Sequence, residues 1–288
     1  MKAAPFDYVR AATVADALAA LGSAEDARVL AGGQSLVPVM ALRLSTPELL
    51  VDISRCPELR EYRCDDGVLT VGAAVTDRAL ELDPEVAAAH PLLVRALALV
   101  AHPEIRARGT LCGSLAHADP AAELPALLLA TDGEVEVDGP GGRRRVGAAD
   151  FSTGPFGTAL REGEMVVAAR LPLPAGTSAW TVDEISRRPG DFALAGVVCG
   201  VELDDASRCS RARVALFGVA GTPVRASGAE EVLVGERMTD AVLDAAAAAA
   251  FDGVEVIGDD VHASAAYRRG AGRALVRRAL AAVAGGGA

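Results

Sequence analysis

Residues 29–36 read Val29-Leu30-Ala31-Gly32-Gly33-Gln34-Ser35-Leu36. The apolar run from Arg28 to Ala31 predicts a short buried strand that feeds directly into a glycine turn. Two adjacent glycines let the backbone turn with its N–H groups exposed. With a serine hydroxyl beside them, they can surround a phosphate oxygen without side-chain interference. Taken alone, a Gly-Gly turn is more often a structural bend. The spacing matches neither the dinucleotide G-x-G-x-x-G nor the P-loop G-x-x-x-x-G-K, and Lys2 is the only lysine of the chain. A P-loop nucleotide hydrolase is excluded on that ground.

Upstream of this turn, Val14, Ala17, Leu18 and Leu21 recur at helical spacing, with Thr13 as N-cap and Gly22 as the stop. Downstream, Leu49 to Ile53 reads as a second buried strand, so a small α/β lobe ends near residue 57. Val68 to Val75 alternates as a strand does, and Pro84 to Leu99 has the periodicity of one helix, its end marked by His102-Pro103. Glu123 to Ala130 reads as a short helix entered through Asp119-Pro120, and Val135 and Val137 as a strand leading to a hairpin turn at Gly139 to Gly142.

Leu171 to Gly176 punctuates the chain, and a domain boundary is expected there. Beyond it, Phe192 to Leu203 and Ala212 to Ala220 are strand candidates, followed by helices over Ala226–Leu233, Thr239–Phe251 and Ala263–Val283. Strands first and helices afterwards imply an α+β domain with an antiparallel sheet. The expected organisation is residues 1–175 in two lobes, about 1–57 and 58–175, then 176–285, then a frayed tail 286–288.

The densest polar-and-glycine segment is Arg106 to Pro125, RARGTLCGSLAHADPAAELP. Within it Gly109, Thr110, Leu111, Cys112, Gly113 and Ser114 again combine small residues, backbone donors and hydroxyls. This loop can close on the same phosphates from the other side. An acidic protein without a nearby lysine is expected to hold a diphosphate with N–H groups, hydroxyls and helix ends. Asp119 can accept from a ribose hydroxyl or cap a helix. His117 is more often a hydrogen-bonded structural residue than a general base, and Cys112 has no neighbouring base to activate it. Ser35 and Ser114 lack the G-x-S-x-G context of a hydrolase. The charged turn Arg187 to Phe192 reads, without further context, as a solvated loop.

Composition narrows the function classes. Of 288 residues, 51% are hydrophobic, which provides a core and excludes disorder. The net charge of −11 argues against a nucleic acid or an anionic membrane as the main partner. No apolar stretch reaches the ~18 to 20 residues a bilayer demands, and residues 1–10 lack a secretory h-region. A cytoplasmic protein is expected. Five cysteines with no C-x-x-C spacing and four scattered histidines predict free thiols and no metal site.

Several longer motifs together resemble the FAD-binding medium subunit of the molybdenum hydroxylases, the group of carbon monoxide, xanthine and nicotine dehydrogenases. They are AGGQSLVPVM with RLSTPELLVDIS downstream, VGAAVT at 71–76, IRARGTLCGSLAHADPAAELP at 105–125 and RRPGDFALAG at 187–196. The resemblance covers nearly the whole chain. It implies a two-lobed PCMH-type FAD-binding domain followed by a CO dehydrogenase flavoprotein-like C-terminal domain. It also implies that Val29 to Leu36 and Gly109 to Ser114 grip the FAD diphosphate. Asp119 matches a residue near the adenosine, Leu160 in TALREGE one near the flavin, and Ala101 is placed beside the ring. His117 is counted with the cofactor-binding set.

The family pattern implies partners as well. A large subunit would carry the molybdenum cofactor and a small one two [2Fe–2S] clusters, in a dimer of heterotrimers. This chain would be an oxidoreductase subunit that collects electrons and passes them to an external acceptor, without hydroxylating alone. Alternatives are a stand-alone FAD-dependent oxidase or dehydrogenase, and a non-catalytic nucleotide-binding protein that has kept the fold. Three departures stand out. Cys112 replaces the first glycine of the usual T-x-G-G loop, excluding any positive-φ conformation there. Ala107 stands where relatives often have Asn. Asp183 and Glu184 occupy a stretch where xanthine dehydrogenases carry a lysine, which would make the local potential more negative.

Overall fold

A computed structural model describes residues 2–175 and 178–285. Its first sheet is parallel, with Leu49–Asp52 in the centre between Asp7–Arg10 and Ala27–Leu30. The central strand is buried throughout, its apolar run Leu49-Leu50-Val51 followed by the buried Asp52, which accepts from Tyr8 and Ser54. Helix Val14–Leu21 begins at Thr13 with a capping box. The Thr13 hydroxyl accepts from the Asp16 amide at 3.1 Å, and the Asp16 carboxylate accepts from the Thr13 amide at 3.0 Å. The register sets Arg10 and Leu30 on either side of Asp52. All three strands therefore finish side by side, and the chain leaves the sheet at one shared edge.

The second sheet is antiparallel, in the order Tyr62–Asp65, Val68–Gly72, Met165–Pro172, Glu134–Asp138, Arg144–Gly147. The expected hairpin at Gly139 to Gly142 joins its last two strands. Pro84 to Leu99 is two helices, Pro84–Ala89 and Pro91–Leu99. Pro91 has no N–H to continue the first helix, and the buried His90 caps the second by accepting from the Leu93 amide through Nδ1 at 3.2 Å. Helix Glu123–Ala130 forms as expected, while the segment from Gly109, expected as a loop, holds helix Leu111–His117. The former starts after Ala122. Asp119 acts earlier, accepting from the Ala121 amide at 2.9 Å.

The third sheet is antiparallel, in the order Ser178–Ile185, Ala195–Leu203, Cys209–Phe217, Val224–Arg225. Its middle strands are buried on both faces. Val197, Cys199, Val201, Val214 and Leu216 face one core with helices Ser227–Leu233, Asp240–Ala249 and Ala265–Ala284. Val198, Ala215 and Phe217 point the other way, into a core shared with the fully buried helix Glu123–Ala130 and the two preceding sheets. This two-sided burial is why the strands read as continuous apolar runs. Just beyond that helix, Asp132 accepts from Arg211, Arg213 and Arg225 at 3.1, 2.8 and 2.9 Å, tying the third sheet to it. Strands Asp7–Arg10, Tyr62–Asp65 and Ser178–Ile185 carry no strong sequence signal of their own, and the apolar run Met165–Pro172 is a further strand beyond those expected. Gly176, the end of the expected boundary segment, and tail residues 286–288 lie outside the described residues.

Candidate functional site

The shared edge of the parallel sheet opens into a cleft. Two adjoining hollows have Ala31, Gly32, Asp52, Ser54 and Arg108 in common. One continues along Leu30, Gly33, Gln34, Val37 and Pro38, the other along Arg10, Arg55, Arg60, Ala74, Thr76, Ala107 and Thr110. Crevices outside the carboxyl ends of parallel strands are where α/β sheets place ligands, because the loops diverge there.

The glycine turn is built for backbone exposure. Gly33 has φ +73°, a left-handed conformation that favours glycine. A β-carbon on Gly32 would lie 2.1 Å from the Arg108 carbonyl oxygen and 2.9 Å from the Gly109 Cα, so only glycine lets the two segments touch. The Gln34 side chain donates to the Gly32 carbonyl at 3.0 Å. Among the described residues, the amides of Gly32, Gly33, Gln34, Ser35 and Leu36 have no acceptor within the chain. Five unsatisfied donors along one turn form a cradle for an anion.

The opposite wall differs from expectation. Thr110 caps helix Leu111–His117, its hydroxyl accepting from the Gly113 amide at 2.9 Å, so Leu111 to Ser114 are helical rather than a free loop. Cys112 therefore needs no positive φ. Its thiol points into the core toward the Val71 carbonyl, 3.6 Å away, and burial pushes its pKa up. The substitution is absorbed beneath the cleft. Beside the expected N–H groups, hydroxyls and helix ends, Arg10, Arg55, Arg60 and Arg108 also line the cleft.

Of the residues singled out from sequence, Leu30, Ala31, Gly32, Gly33, Gln34 and Thr110 line the cleft. Val29 packs against the core, and Ser35 and Leu36 begin helix Leu36–Ala41 just behind it. Gly109 backs onto Asp77, whose amide donates to the Gly109 carbonyl at 2.8 Å. Ala101, His117, Asp119 and Leu160 lie outside the lining. Ala101 has φ +42° and receives a hydrogen bond from Arg106 at 3.3 Å. The His117 ring tilts against Phe156 at 5.2 Å, and burial lowers its pKa while Asp119 opposes the effect. Leu160 packs against the core.

Three carboxyls are perturbed by burial, and of these Asp77 carries no signal in the sequence. Asp77 is 3% exposed, and its Oδ1 has no partner among the described residues. Burial pushes it up to about 7, Glu123 adds to the rise and Arg106 opposes it. Burial likewise pushes Glu123 up to about 7, and Glu184 to about 8 with help from Glu123 and Asp183. Asp183 itself pairs with Arg278. The segment flagged for its negative potential thus holds one paired carboxylate and one carboxyl that burial favours as neutral.

Residues 4–174 match the model described as the FAD binding domain in molybdopterin dehydrogenase. The chain belongs to this family. Residues 180–283 match the CO dehydrogenase flavoprotein C-terminal domain. Among curated family members, the 6-hydroxypseudooxynicotine dehydrogenase complex subunit alpha of Paenarthrobacter nicotinovorans is 41% identical over 98% of this chain and 95% of its own. The carbon monoxide dehydrogenase medium chain of Hydrogenophaga pseudoflava is 38% identical over 96% of both. The crystal structure of quinoline 2-oxidoreductase from Pseudomonas putida 86 superposes with a TM-score of 0.95, at 38% identity, over 99% of each chain.

Family membership gives the chain an FAD-binding domain, and the residues of the cleft fit that cofactor. Bare backbone at Gly32, where a β-carbon would fill the cradle, and a row of amides without acceptors suit a diphosphate. Among the described residues no cluster of ligand side chains suits a metal, and no helix is long and apolar enough to cross a membrane.

Proposed function

We propose that this chain is the FAD subunit of a molybdenum hydroxylase, passing electrons from [2Fe–2S] clusters of a partner through FAD to an external acceptor. One observation carries the reading: the acceptor-free amides of Gly32 to Leu36, held open by backbone contact between Gly32 and Arg108. When bound, FAD supplies a carrier that accepts electrons singly and releases them in pairs. The chain's own task is to bind and orient it. The Gly32–Leu36 amides would hold the diphosphate, and the Thr110 hydroxyl, already accepting from Gly113, would donate to the ligand. Gly109, Leu111, Cys112, Gly113 and Ser114 would shape the second wall through their backbone. Ala101 and Leu160 would flank the flavin, with Asp119 and His117 toward the rest of the nucleotide.

The partners would be a large molybdenum-cofactor subunit and a small [2Fe–2S] subunit, assembled as a cytoplasmic dimer of heterotrimers. Relatives named as medium chains and complex subunits support this assembly. Residues 1–175 would form the FAD-binding domain and 176–285 the C-terminal domain. The test is co-expression with the adjacent large and small subunits, then native mass spectrometry. The expected particle contains this chain with FAD, molybdenum and iron. A colourless chain that takes up no FAD and joins no such particle refutes the proposal.

A further inference from the structure

The cleft carries more positive charge than its family motif requires. Arg10 ends the first strand, Arg55 and Arg60 flank the short turn Pro57–Leu59, and Arg108 lies between helices Pro103–Arg106 and Leu111–His117. Three separate segments thus bring four arginines to the lining of one hollow, against a single lining carboxylate residue, Asp52. In a chain of net charge −11, this is a local reversal of sign.

Arginines elsewhere in the fold are mostly paired. Arg106 with Glu81, Arg144 with Glu164, Arg225 with Glu230 and Arg268 with Asp260 all lie within 2.9 Å of their partners. Arg55, Arg60 and Arg108 have no carboxylate partner and no side-chain hydrogen bond among the described residues. Arg10 is held by Tyr8 and partly neutralised by Asp52. Its Nε and a terminal nitrogen donate to the Tyr8 hydroxyl at 3.3 and 3.2 Å, and that hydroxyl donates to Asp52. The Asp52 carboxylate also accepts from the Ser54 amide at 2.8 Å and lies 3.7 Å from Arg10 Nε.

Arg55, Arg60 and Arg108 converge on this hollow without a carboxylate partner among the described residues and repel one another, so the cluster is stabilised by an anion that enters it. The acceptor-free Gly32–Leu36 amides border the same space. A ligand must therefore present several phosphate oxygens to donors on both walls. A diphosphate does so, with enough oxygens for bidentate contact with more than one guanidinium.

We infer that Arg10, Arg55, Arg60 and Arg108 form a guanidinium cradle for the diphosphate of the dinucleotide, facing the amide cradle across the cleft. This rests on the FAD reading above and assigns its charge recognition to arginine. Tyr8 and Asp52 act as positioning residues for Arg10. The cleft also draws an anionic ligand toward an otherwise acidic protein, because its walls focus the local field.

The test is titration of the FAD-free full chain with FAD, followed by flavin fluorescence and calorimetry, from about 50 to about 500 mM salt. Arg55→Gln and Arg108→Gln are each expected to weaken FAD about tenfold, and to flatten the salt dependence. Arg55→Lys should retain the salt dependence, and Arg273→Gln, an exposed arginine on helix Ala265–Ala284, should behave as wild type. Melting temperatures verify that every variant is folded. Wild-type FAD uptake with unchanged affinity and salt response in both glutamine variants overturns the arginine cradle and leaves the FAD reading standing. If wild type ignores FAD yet binds inorganic pyrophosphate, and the glutamine variants lose that binding, the cradle stands and the FAD reading falls. Binding of neither ligand refutes both.

Discussion

Gly32 rests against the carbonyl of Arg108, so close that a β-carbon would sit 2.1 Å from that oxygen. The contact joins the first glycine turn to the segment before the second motif, across about 75 residues of sequence. Gly32→Ala must push the walls apart. It is expected to weaken FAD at least tenfold and to lower the melting temperature. Gly33→Ala, strained by its φ of +73° with space that side chains can share, should cost only about 1 to 2 kcal/mol. FAD content per purified chain, measured with thermal melts, separates the two effects. Equal behaviour of both variants would refute the contact as a determinant of the cleft.

Arg106 and Glu81 form a bidentate pair, 2.9 and 3.1 Å, with side chains 8% and 13% exposed. Arg106 also donates to the carbonyls of Val100 and Ala101, bracing the turn in which Ala101 has positive φ. Removing one partner leaves a nearly buried charge without its counterion, so Glu81→Gln is expected to cost about 3 kcal/mol. Urea denaturation measures this. A loss under about 1 kcal/mol would show that the pair is freely hydrated.

Burial pushes the pKa of the Asp77 carboxyl in the folded chain up to about 7, from an ordinary 3.8. Below pH 3.8 it is neutral in both states and costs nothing. As pH rises toward 7, the unfolded chain releases a proton that the folded chain keeps, so stability falls, and above 7 the penalty is constant. Asp77→Asn should gain stability over wild type across that interval, by about 1 to 3 kcal/mol at pH 8. Denaturation midpoints of the two proteins from pH 4 to 8 should diverge, and a constant difference would contradict the assignment.

His90 acts on the acid side. Burial holds its pKa down to about 4, against 6.5 ordinarily, and its Nε2 has no partner among the described residues. Between those values the unfolded chain gains a proton that the folded chain refuses, so stability drops as pH falls from 6.5 to 4. His90→Asn, which keeps an acceptor for the Leu93 amide, should flatten this limb. Parallel acid limbs in both proteins would rule out His90 as its source.

Only Cys64 is exposed among the five cysteines; partial burial and nearby carboxylates raise its pKa, but the thiols of Cys56, Cys112, Cys199 and Cys209 are both raised in pKa and shielded from reagent. Thiolate, not thiol, reacts, so a native chain should titrate one thiol quickly and all five only in denaturant. Cys64→Ser should abolish the fast phase. Rapid reaction of Cys112 would mean that its side chain faces the cleft.

Much of the architecture is written in local patterns. Helix Val14–Leu21 has its cap at Thr13 and its stop at Gly22, and the hairpin after Val137 follows its glycines. Strands without such signals escape notice because their neighbours stabilise them. Ser178–Ile185 is only half-buried along its length and is held by pairing with Ala195–Leu203. The merged Pro84–Leu99 helix shows the opposite error, since apolar periodicity continues across a break that Pro91 imposes. For the cleft, Gly32, Gly33 and Thr110 are legible because glycine and capping hydroxyls act on adjacent backbone.

The chain's order of motifs was enough to establish family, ligand class and the amide turn, all of which depend on residues close in sequence. Tertiary structure alone decided that Arg10, Arg55, Arg60 and Arg108 share one hollow, that the Asp77 Oδ1 behind Gly109 has no partner among the described residues, and that Cys112 faces the core. Charge and burial are sums over neighbours in space, and those neighbours come from strands whose parallel register brings Arg10, Leu30 and Asp52 to one edge.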